Sequence, residues 1–62
     1  MKIIVEDGYV KVWRIRDGEI ICAAFDKGDK QLVGLEFTDP KYQRSNRTRQ
    51  AAMRALQEAG YR

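Results

Sequence analysis

The stretch MKIIVEDGYVKVWRIRDGEIICAAF, residues 1–25, contains two Asp-Gly pairs, at 7–8 and 17–18, between segments rich in Ile, Val, Tyr and Trp. Asp-Gly between alternating apolar residues is the strongest short-range signal for a two-residue hairpin loop. We therefore expect strands at 1–6, 9–16 and 19–25. A fourth apolar segment, 31–37, follows a polar loop at 26–30. The pattern predicts a four-stranded antiparallel β-meander.

Two-residue loops also predict the register of the strands, because side chains alternate between the two faces of a sheet. In this register Glu6 pairs with Tyr9, Arg16 with Glu19, and Val12 with Ala23. The expected core face then consists of Met1, Ile3, Val5, Val10, Val12, Ile21, Ala23, Phe25, Val33, Leu35 and Phe37. The second face consists of Lys2, Ile4, Tyr9, Lys11, Trp13, Ile15, Ile20, Cys22, Ala24, Leu32 and Gly34.

The sheet is expected to end at Asp39-Pro40. Residues 41–44 fit either a short turn or a first helical turn, in which Asp39 is the N-cap and Pro40 takes the first position. The main helix is expected at about 45–59, with Ser45 or Asn46 as its N-cap.

Gly60 is expected to end this helix in the left-handed conformation, with Tyr61 folding back on Leu56. The helix side that should pack on the sheet holds Thr48, Ala51, Ala52, Ala55, Leu56 and Ala59. We therefore predict a single small α+β domain over residues 1–62, in which a four-stranded meander is followed by one C-terminal helix on one face (ββββα).

Charge is unevenly distributed along the chain. Residues 1–39 carry six basic and eight acidic side chains, whereas residues 40–62 carry six basic and one acidic. Such asymmetry is typical of proteins that bind nucleic acid or an anionic surface. A chain of 62 residues buries only about 60 % of its unfolded surface, so self-association or a partner is also expected.

Several function classes receive no support from the composition. The chain has one cysteine, Cys22, and no histidine, so neither an intramolecular disulfide nor a typical zinc site is expected. The loop containing Asp26 and Asp29 fits a glycine-containing hairpin loop better than a metal site. No general acid and base pair is visible, so we expect a non-enzymatic protein without a cofactor.

The sequence shows neither the cationic segment and apolar run of a signal peptide nor an apolar stretch long enough to span a bilayer. We therefore expect a soluble, cytoplasmic protein.

The main helix begins in a cluster of arginines, Arg44-Ser45-Asn46-Arg47-Thr48-Arg49, followed by Gln50 and Arg54. Cations at a helix N-terminus are unfavourable by roughly 0.3–1 kcal/mol each, but a bound phosphate would satisfy the free amides and attract the guanidinium groups. Asparagine and glutamine side chains can also pair with adenine edges. The alternative is a merely solvated basic surface. The candidate nucleic-acid-binding residues are Arg44, Ser45, Asn46, Arg47, Arg49, Gln50 and Arg54.

The second sheet face has no segment left to cover it. An exposed apolar patch usually marks an interface, and a homodimer or a protein partner is the favoured interpretation. Aromatic residues beside lysines can instead form a stacking platform for single-stranded nucleic acid, and a fortuitously apolar surface is the third possibility. The candidate interface residues are Lys2, Tyr9, Lys11, Trp13, Ile15, Ile20 and Leu32.

The order of four strands and one helix resembles the single-stranded-DNA-binding domain of the positive cofactor four family of transcriptional coactivators. The residues that carry this resemblance are 9–12, the Asp17-Gly18 pair and 19–22, whereas the segment from Asp39 onward departs from the family pattern. The resemblance implies a dimer that binds single strands along a basic, aromatic sheet surface. Its matching positions here are Lys2, Tyr9, Lys11 and Trp13.

These observations lead to two expected functions. The first is a small nucleic-acid-binding accessory or regulatory protein that contacts DNA or RNA phosphates through the arginine-rich helix start and dimerises through the second sheet face. The alternative is a protein-binding module or inhibitor, of a phage or plasmid type, that uses the same sheet face.

Overall fold

A computed structural model describes all 62 residues. The chain forms β1 (Lys2–Glu6), β2 (Tyr9–Arg14), β3 (Glu19–Asp26), β4 (Leu32–Phe37), α1 (Pro40–Arg44) and α2 (Asn46–Glu58). The four strands form one antiparallel sheet in the order β1-β2-β3-β4. The predicted α+β meander is therefore confirmed, with two helices after it. Neither helix is long and apolar enough to cross a membrane.

The first hairpin has the predicted register. Glu6 pairs with Tyr9, and Lys2 pairs with Trp13. The two loop residues have positive φ angles, 51° at Asp7 and 81° at Gly8, as a type I′ turn requires.

The second hairpin is wider than predicted, because β2 ends at Arg14 and β3 begins at Glu19. The Gly18 N–H donates to the Arg14 carbonyl oxygen at 2.7 Å, and one Asp17 carboxylate oxygen accepts the Glu19 N–H at 3.2 Å. The expected pair between Arg16 and Glu19 is wrong, since Arg14 lies opposite Glu19. Arg14 also forms an ion pair with Asp17 at 2.9 Å, which favours the four-residue turn.

A β-bulge changes the register of β3. Val12 lies opposite Cys22 and Trp13 lies opposite Ile20, so Ile21 is the additional residue. Ile21 and Cys22 are neighbours in sequence, yet both are 0 % exposed. The bulge thus places two consecutive side chains in the core, which strict alternation cannot do.

The shifted register exchanges residues between the two faces. Cys22 and Ala24 are buried on the helix side, whereas Ala23, predicted for the core, lies on the opposite face. The same is true at the start of β4, where Leu32 packs against the core and Val33 lies opposite Phe25 on the other face. The predicted placement of these residues is therefore wrong.

A second irregularity in the pairing of β3 with β4 restores the predicted side for the end of β4. The register shifts between Ala23 and Phe25, and Gly34 has a φ angle of 66°, which favours glycine. Phe37 then lies opposite Cys22 and packs against the core, as expected.

Both helices begin with a side-chain cap. Asp39 accepts the Lys41 N–H at 2.9 Å, with Pro40 in the first position of α1, so the second interpretation of residues 41–44 is confirmed. Ser45 accepts the Thr48 N–H at 3.3 Å at the start of α2.

The C-terminal end of α2 also has the predicted geometry. Gly60 has a φ angle of 89°, its N–H donates to Gln57 O at 2.9 Å, and the Tyr61 N–H donates to Leu56 O at 3.0 Å. These are the two bonds of a Schellman motif. On the side of α2 that packs on the sheet, Ala52 and Leu56 are buried, whereas Ala51 is exposed.

The core is small and contains no charged side chain. Its eight buried residues are Val10, Val12, Ile21, Cys22, Ala24, Tyr42, Ala52 and Leu56. Residues from both helices contribute to it, so α1 and α2 lie on the same side of the sheet. The opposite side, which we call the open face, is covered by no other element.

Candidate nucleic-acid interface

The exposed side of α2 presents arginine and amide side chains. Arg47 and Arg54 are two helical turns apart, which corresponds to about 10 Å along the axis. Together with Gln50 they line a shallow surface hollow of about 420 Å³. Arg44, at the end of α1, is also exposed. The structure therefore brings together most of the predicted cationic residues on the helix side.

None of these arginines has an acidic partner. The ion pairs of the molecule join Lys11 to Glu6 at 3.3 Å, and Arg14 to Asp17 and Glu19 at 2.9 and 3.7 Å. All of them belong to the sheet and its second hairpin. Helix α2 has no acidic residue in its first turn and no basic residue in its last. This charge order is the reverse of the one that the helix dipole favours.

Arg49 differs from the other arginines because it makes two hydrogen bonds within the protein. Its Nη1 atom donates to the carbonyl oxygen of Gln43 at 2.7 Å, and its Nη2 atom donates to Asn46 Oδ1 at 2.7 Å. Arg49 thus links the end of α1 to the start of α2. Both acceptors are neutral oxygen atoms, so Arg49 is held in place but has no acidic partner.

The amide groups at the start of α2 are partly satisfied. Ser45 Oγ accepts the Thr48 N–H, whereas the N–H groups of Asn46 and Arg47 make no hydrogen bond in the structure. These two amides and the Arg47 guanidinium are the parts of the predicted phosphate site that stay available. Asn46 Oδ1 already accepts Arg49 and, at 3.5 Å, Gln50 Nε2, so Asn46 is poorly placed to recognise an adenine edge.

The open face is mostly apolar and has no net charge. Its residues form three rows across the strands, which are Lys2-Trp13-Ile20, Ile4-Lys11-Ala23-Glu36 and Glu6-Tyr9-Phe25-Val33. Two lysines and two glutamates therefore share this face. Lys11 is paired with Glu6, which leaves Lys2 and Glu36 without an ion-pair partner.

Five of the predicted interface residues lie on the open face, namely Lys2, Tyr9, Lys11, Trp13 and Ile20. Leu32 lies on the helix side, and Ile15 belongs to the second turn, where it is 56 % exposed. Sequence reasoning missed Phe25, whose ring packs edge-on against Tyr9 with centroids 5.4 Å apart. Only knowledge of the bulge would have placed Phe25 on this face.

The thiol of Cys22 and the carboxylates of Asp17 and Asp26 are buried or hydrogen-bonded within the protein. Burial raises the pKa of the Cys22 thiol to about 11. A hydrogen bond from Arg14 lowers the pKa of Asp17, and Arg14 Nη2 also donates to the Tyr42 hydroxyl at 3.4 Å. Asp26 Oδ1 accepts the Gly28 N–H at 2.8 Å within the loop. No group of three or more histidine, cysteine or acidic residues could hold a metal ion.

No protein-family model, curated protein or solved structure matches the chain.

Proposed function

We propose that this protein is a small, non-enzymatic nucleic-acid-binding accessory or regulatory protein that contacts phosphates through the exposed arginines of its helices. One observation carries the proposal: the side chains of Arg44, Arg47 and Arg54 have neither a carboxylate partner nor any hydrogen bond within the protein. A guanidinium group presents several donors in a fork that matches phosphate oxygens. These side chains are free to act as phosphate ligands.

The distribution of charge supports an approach from the helix side. Residues 40–62, which contain both helices, carry a net charge of +5, whereas the open face is neutral. A polyanion is attracted towards the surface of highest positive potential. The exposed side of α2 is therefore the proposed contact surface, and the predicted stacking platform on the open face has only Lys2 as an unpaired cation.

The proposed binding depends on phosphates more than on bases. Three unpaired arginines provide about three phosphate contacts, each of which contributes about 0.9 to the salt dependence of binding to duplex DNA. Asn46 uses its carbonyl oxygen within the protein, which leaves little capacity for base recognition. We expect weak, salt-sensitive binding with little sequence preference.

A pair of charge-matched double variants tests the proposal. Arg47→Gln with Arg54→Gln removes two positive charges from the contact surface. Arg16→Gln with Lys27→Gln removes two from exposed loop residues that form no ion pair themselves. Fluorescence anisotropy at low salt would be measured with duplex DNA, single-stranded DNA and RNA. We expect the helix variant to bind at least about tenfold more weakly, and the loop variant to stay within about threefold of the wild type.

Equal losses in the two variants would show that binding depends only on net charge and would contradict the proposed surface. Absence of wild-type binding to every one of these nucleic acids at low salt would contradict the function itself. The second candidate function, a protein-binding module, is favoured by the apolar and neutral character of the open face.

A further inference from the structure

We infer that the open face binds the open face of a second copy of this chain, and that the two copies are related by a twofold axis parallel to the strands. The inference rests on the residues of the open face and not on the arginines of α2. It names the occupant of a surface that the nucleic-acid proposal leaves unused.

Charge favours a second copy over a polyanion at this face. The lysines Lys2 and Lys11 are balanced by Glu6 and Glu36, and the net charge of +5 in residues 40–62 belongs to the helices on the other side of the sheet. Two copies can therefore meet through their open faces while their basic helices stay far apart. A nucleic acid would gain little electrostatic attraction from a neutral face.

The rows of the open face distinguish the two twofold axes in the plane of the interface that keep the strands of the two copies aligned. An axis perpendicular to the strands places the middle row on itself, so that Lys11 faces Lys11 and Glu36 faces Glu36 of the other copy. An axis parallel to the strands reverses each row, so that Lys11 faces Ala23 of the other copy. Only the second arrangement avoids placing like charges opposite each other.

The arrangement with the parallel axis also matches the shapes and charges of the facing side chains. Tyr9 faces Phe25 of the other copy, and Trp13 faces Ile20 of the other copy, so the aromatic and aliphatic side chains of the two outer rows meet. At the edges, β1 of one copy lies over β4 of the other. Lys2 then lies one row from Glu36 of the other copy, within reach of an ion pair. Both charges lack a partner within one chain.

The size of the open face sets the expected strength of the dimer. Four strands spaced about 4.8 Å apart make a face about 19 Å wide, and three rows of alternating side chains cover about 17 Å of strand length. The flat area of two such faces is about 650 Å² in total, which falls in the range of weak and transient interfaces, below about 1,200 Å². The dimer is therefore expected to dissociate in the micromolar range, and each copy presents its α2 outward.

Sedimentation velocity over about 5 to 500 µM protein tests the inference without nucleic acid. The wild type should shift from the 7.2 kDa monomer towards twice that mass as the concentration rises. Ala23→Arg places a bulky charge at the centre of the face and should weaken the dimer at least tenfold. Ile15→Lys alters an exposed apolar residue outside the face and should leave the dimer unchanged.

Charge exchange tests the orientation of the axis. Lys2→Glu and Glu36→Lys should each weaken the dimer about threefold, and the double variant should return to within twofold of the wild type, because an exposed ion pair contributes less than about 1 kcal/mol. Far-UV circular dichroism checks the fold, and Val33→Glu, which lies opposite Glu6 of the other copy, replaces Ala23→Arg if the latter does not fold. A wild type that stays monomeric, or equal effects of Ala23→Arg and Ile15→Lys, would overturn the interface. A double variant without recovery would overturn the parallel axis. None of these failures affects the arginine contacts proposed for nucleic acid.

Discussion

The Nη1 atom of Arg49 donates a 2.7 Å hydrogen bond to the carbonyl oxygen of Gln43, and this contact joins the start of α2 to the end of α1. The carbonyl groups at a helix end carry partial negative charge and lack partners within the helix. Arg49 therefore stabilises the junction of the two helices, whereas Arg47, two positions earlier in the same helix, makes no such bond.

Replacing Arg49 by methionine should lower the free energy of unfolding by about 1 kcal/mol, because two hydrogen bonds to carbonyl oxygens are lost. Arg47→Met removes the same charge and should change the free energy of unfolding by less than about 0.5 kcal/mol. Urea denaturation monitored by circular dichroism measures both values. If the two variants were equally stable, the Arg49 contact would have no structural role.

Ser45→Asp should separate stability from binding. Aspartate keeps the N-cap and adds a negative charge beside the helix start, which should stabilise the fold by about 0.3–1 kcal/mol. The same carboxylate lies next to the free N–H groups of Asn46 and Arg47, where it competes with a phosphate.

Nucleic-acid affinity should therefore fall more in Ser45→Asp than in Gln31→Glu, which makes the same charge change in a distant exposed loop. Thermal denaturation and anisotropy titrations give the two quantities. Equal losses of affinity would mean that no phosphate binds at the start of α2.

Gly8→Ala should destabilise the protein more than Gly18→Ala. Both glycines have positive φ angles, so alanine costs about 1 kcal/mol in either turn. At Gly8 the added Cβ would also lie 3.0 Å from Phe25 Cε1, whereas at Gly18 it would meet nothing within 4 Å. In urea denaturation, the free energy of unfolding should be lower by a further amount of about 0.5–1 kcal/mol for Gly8→Ala, by analogy with other overpacked sites. Similar values for the two variants would contradict this packing of Phe25.

The buried thiol of Cys22 should make stability depend on pH in the alkaline range. Its pKa is raised from an ordinary value of 9.0 to about 11, so the folded state retains the proton longer than the unfolded state. The protonated Cys22 thiol makes its full contribution to stability below pH 9, and this contribution is lost as the pH rises towards 11. Unfolding free energies at several pH values should therefore fall more steeply for the wild type than for Cys22→Ala. A parallel decline in both proteins would contradict the raised pKa.

The two Asp-Gly pairs show how far local sequence predicts this fold. At Asp7-Gly8 both residues have the positive φ angles that the two-residue turn requires, and the predicted register is correct. At Asp17-Gly18 the carboxylate of Asp17 also binds Arg14 and the Glu19 amide, which favours a wider turn. Side-chain interactions across the hairpin, which the turn pattern does not contain, decided the difference.

The bulge at Ile21 explains most of the errors about the two faces. The bulge places the side chains of both Ile21 and Cys22 in the core. At the bulge, the carbonyl oxygens of Ile20 and Ile21 accept hydrogen bonds from the Thr38 hydroxyl at 2.6 and 3.3 Å. Thr38 is distant in sequence, so the alternation of side chains along β3 could not predict these hydrogen bonds at the bulge.

The absence of acidic partners around the arginines was easier to predict than the sheet register. The lack of acidic partners for the arginines follows from composition, because residues 40–62 contain a single acid, Glu58. The role of Arg49 could not be predicted in the same way. Its acceptor, Gln43 O, is available only because the chain forms two helices that meet at Ser45.

The salt dependence of nucleic-acid binding tests the central claim most directly. Association constants of the wild type with a short DNA duplex would be measured by anisotropy from about 20 to 200 mM salt. Three phosphate contacts predict a slope near −3 in a plot of log association constant against log salt concentration. For Arg47→Gln with Arg54→Gln the slope should fall to about −1. A wild-type slope near zero, or the same slope in the wild type and this variant, would contradict phosphate binding by the arginines of α2.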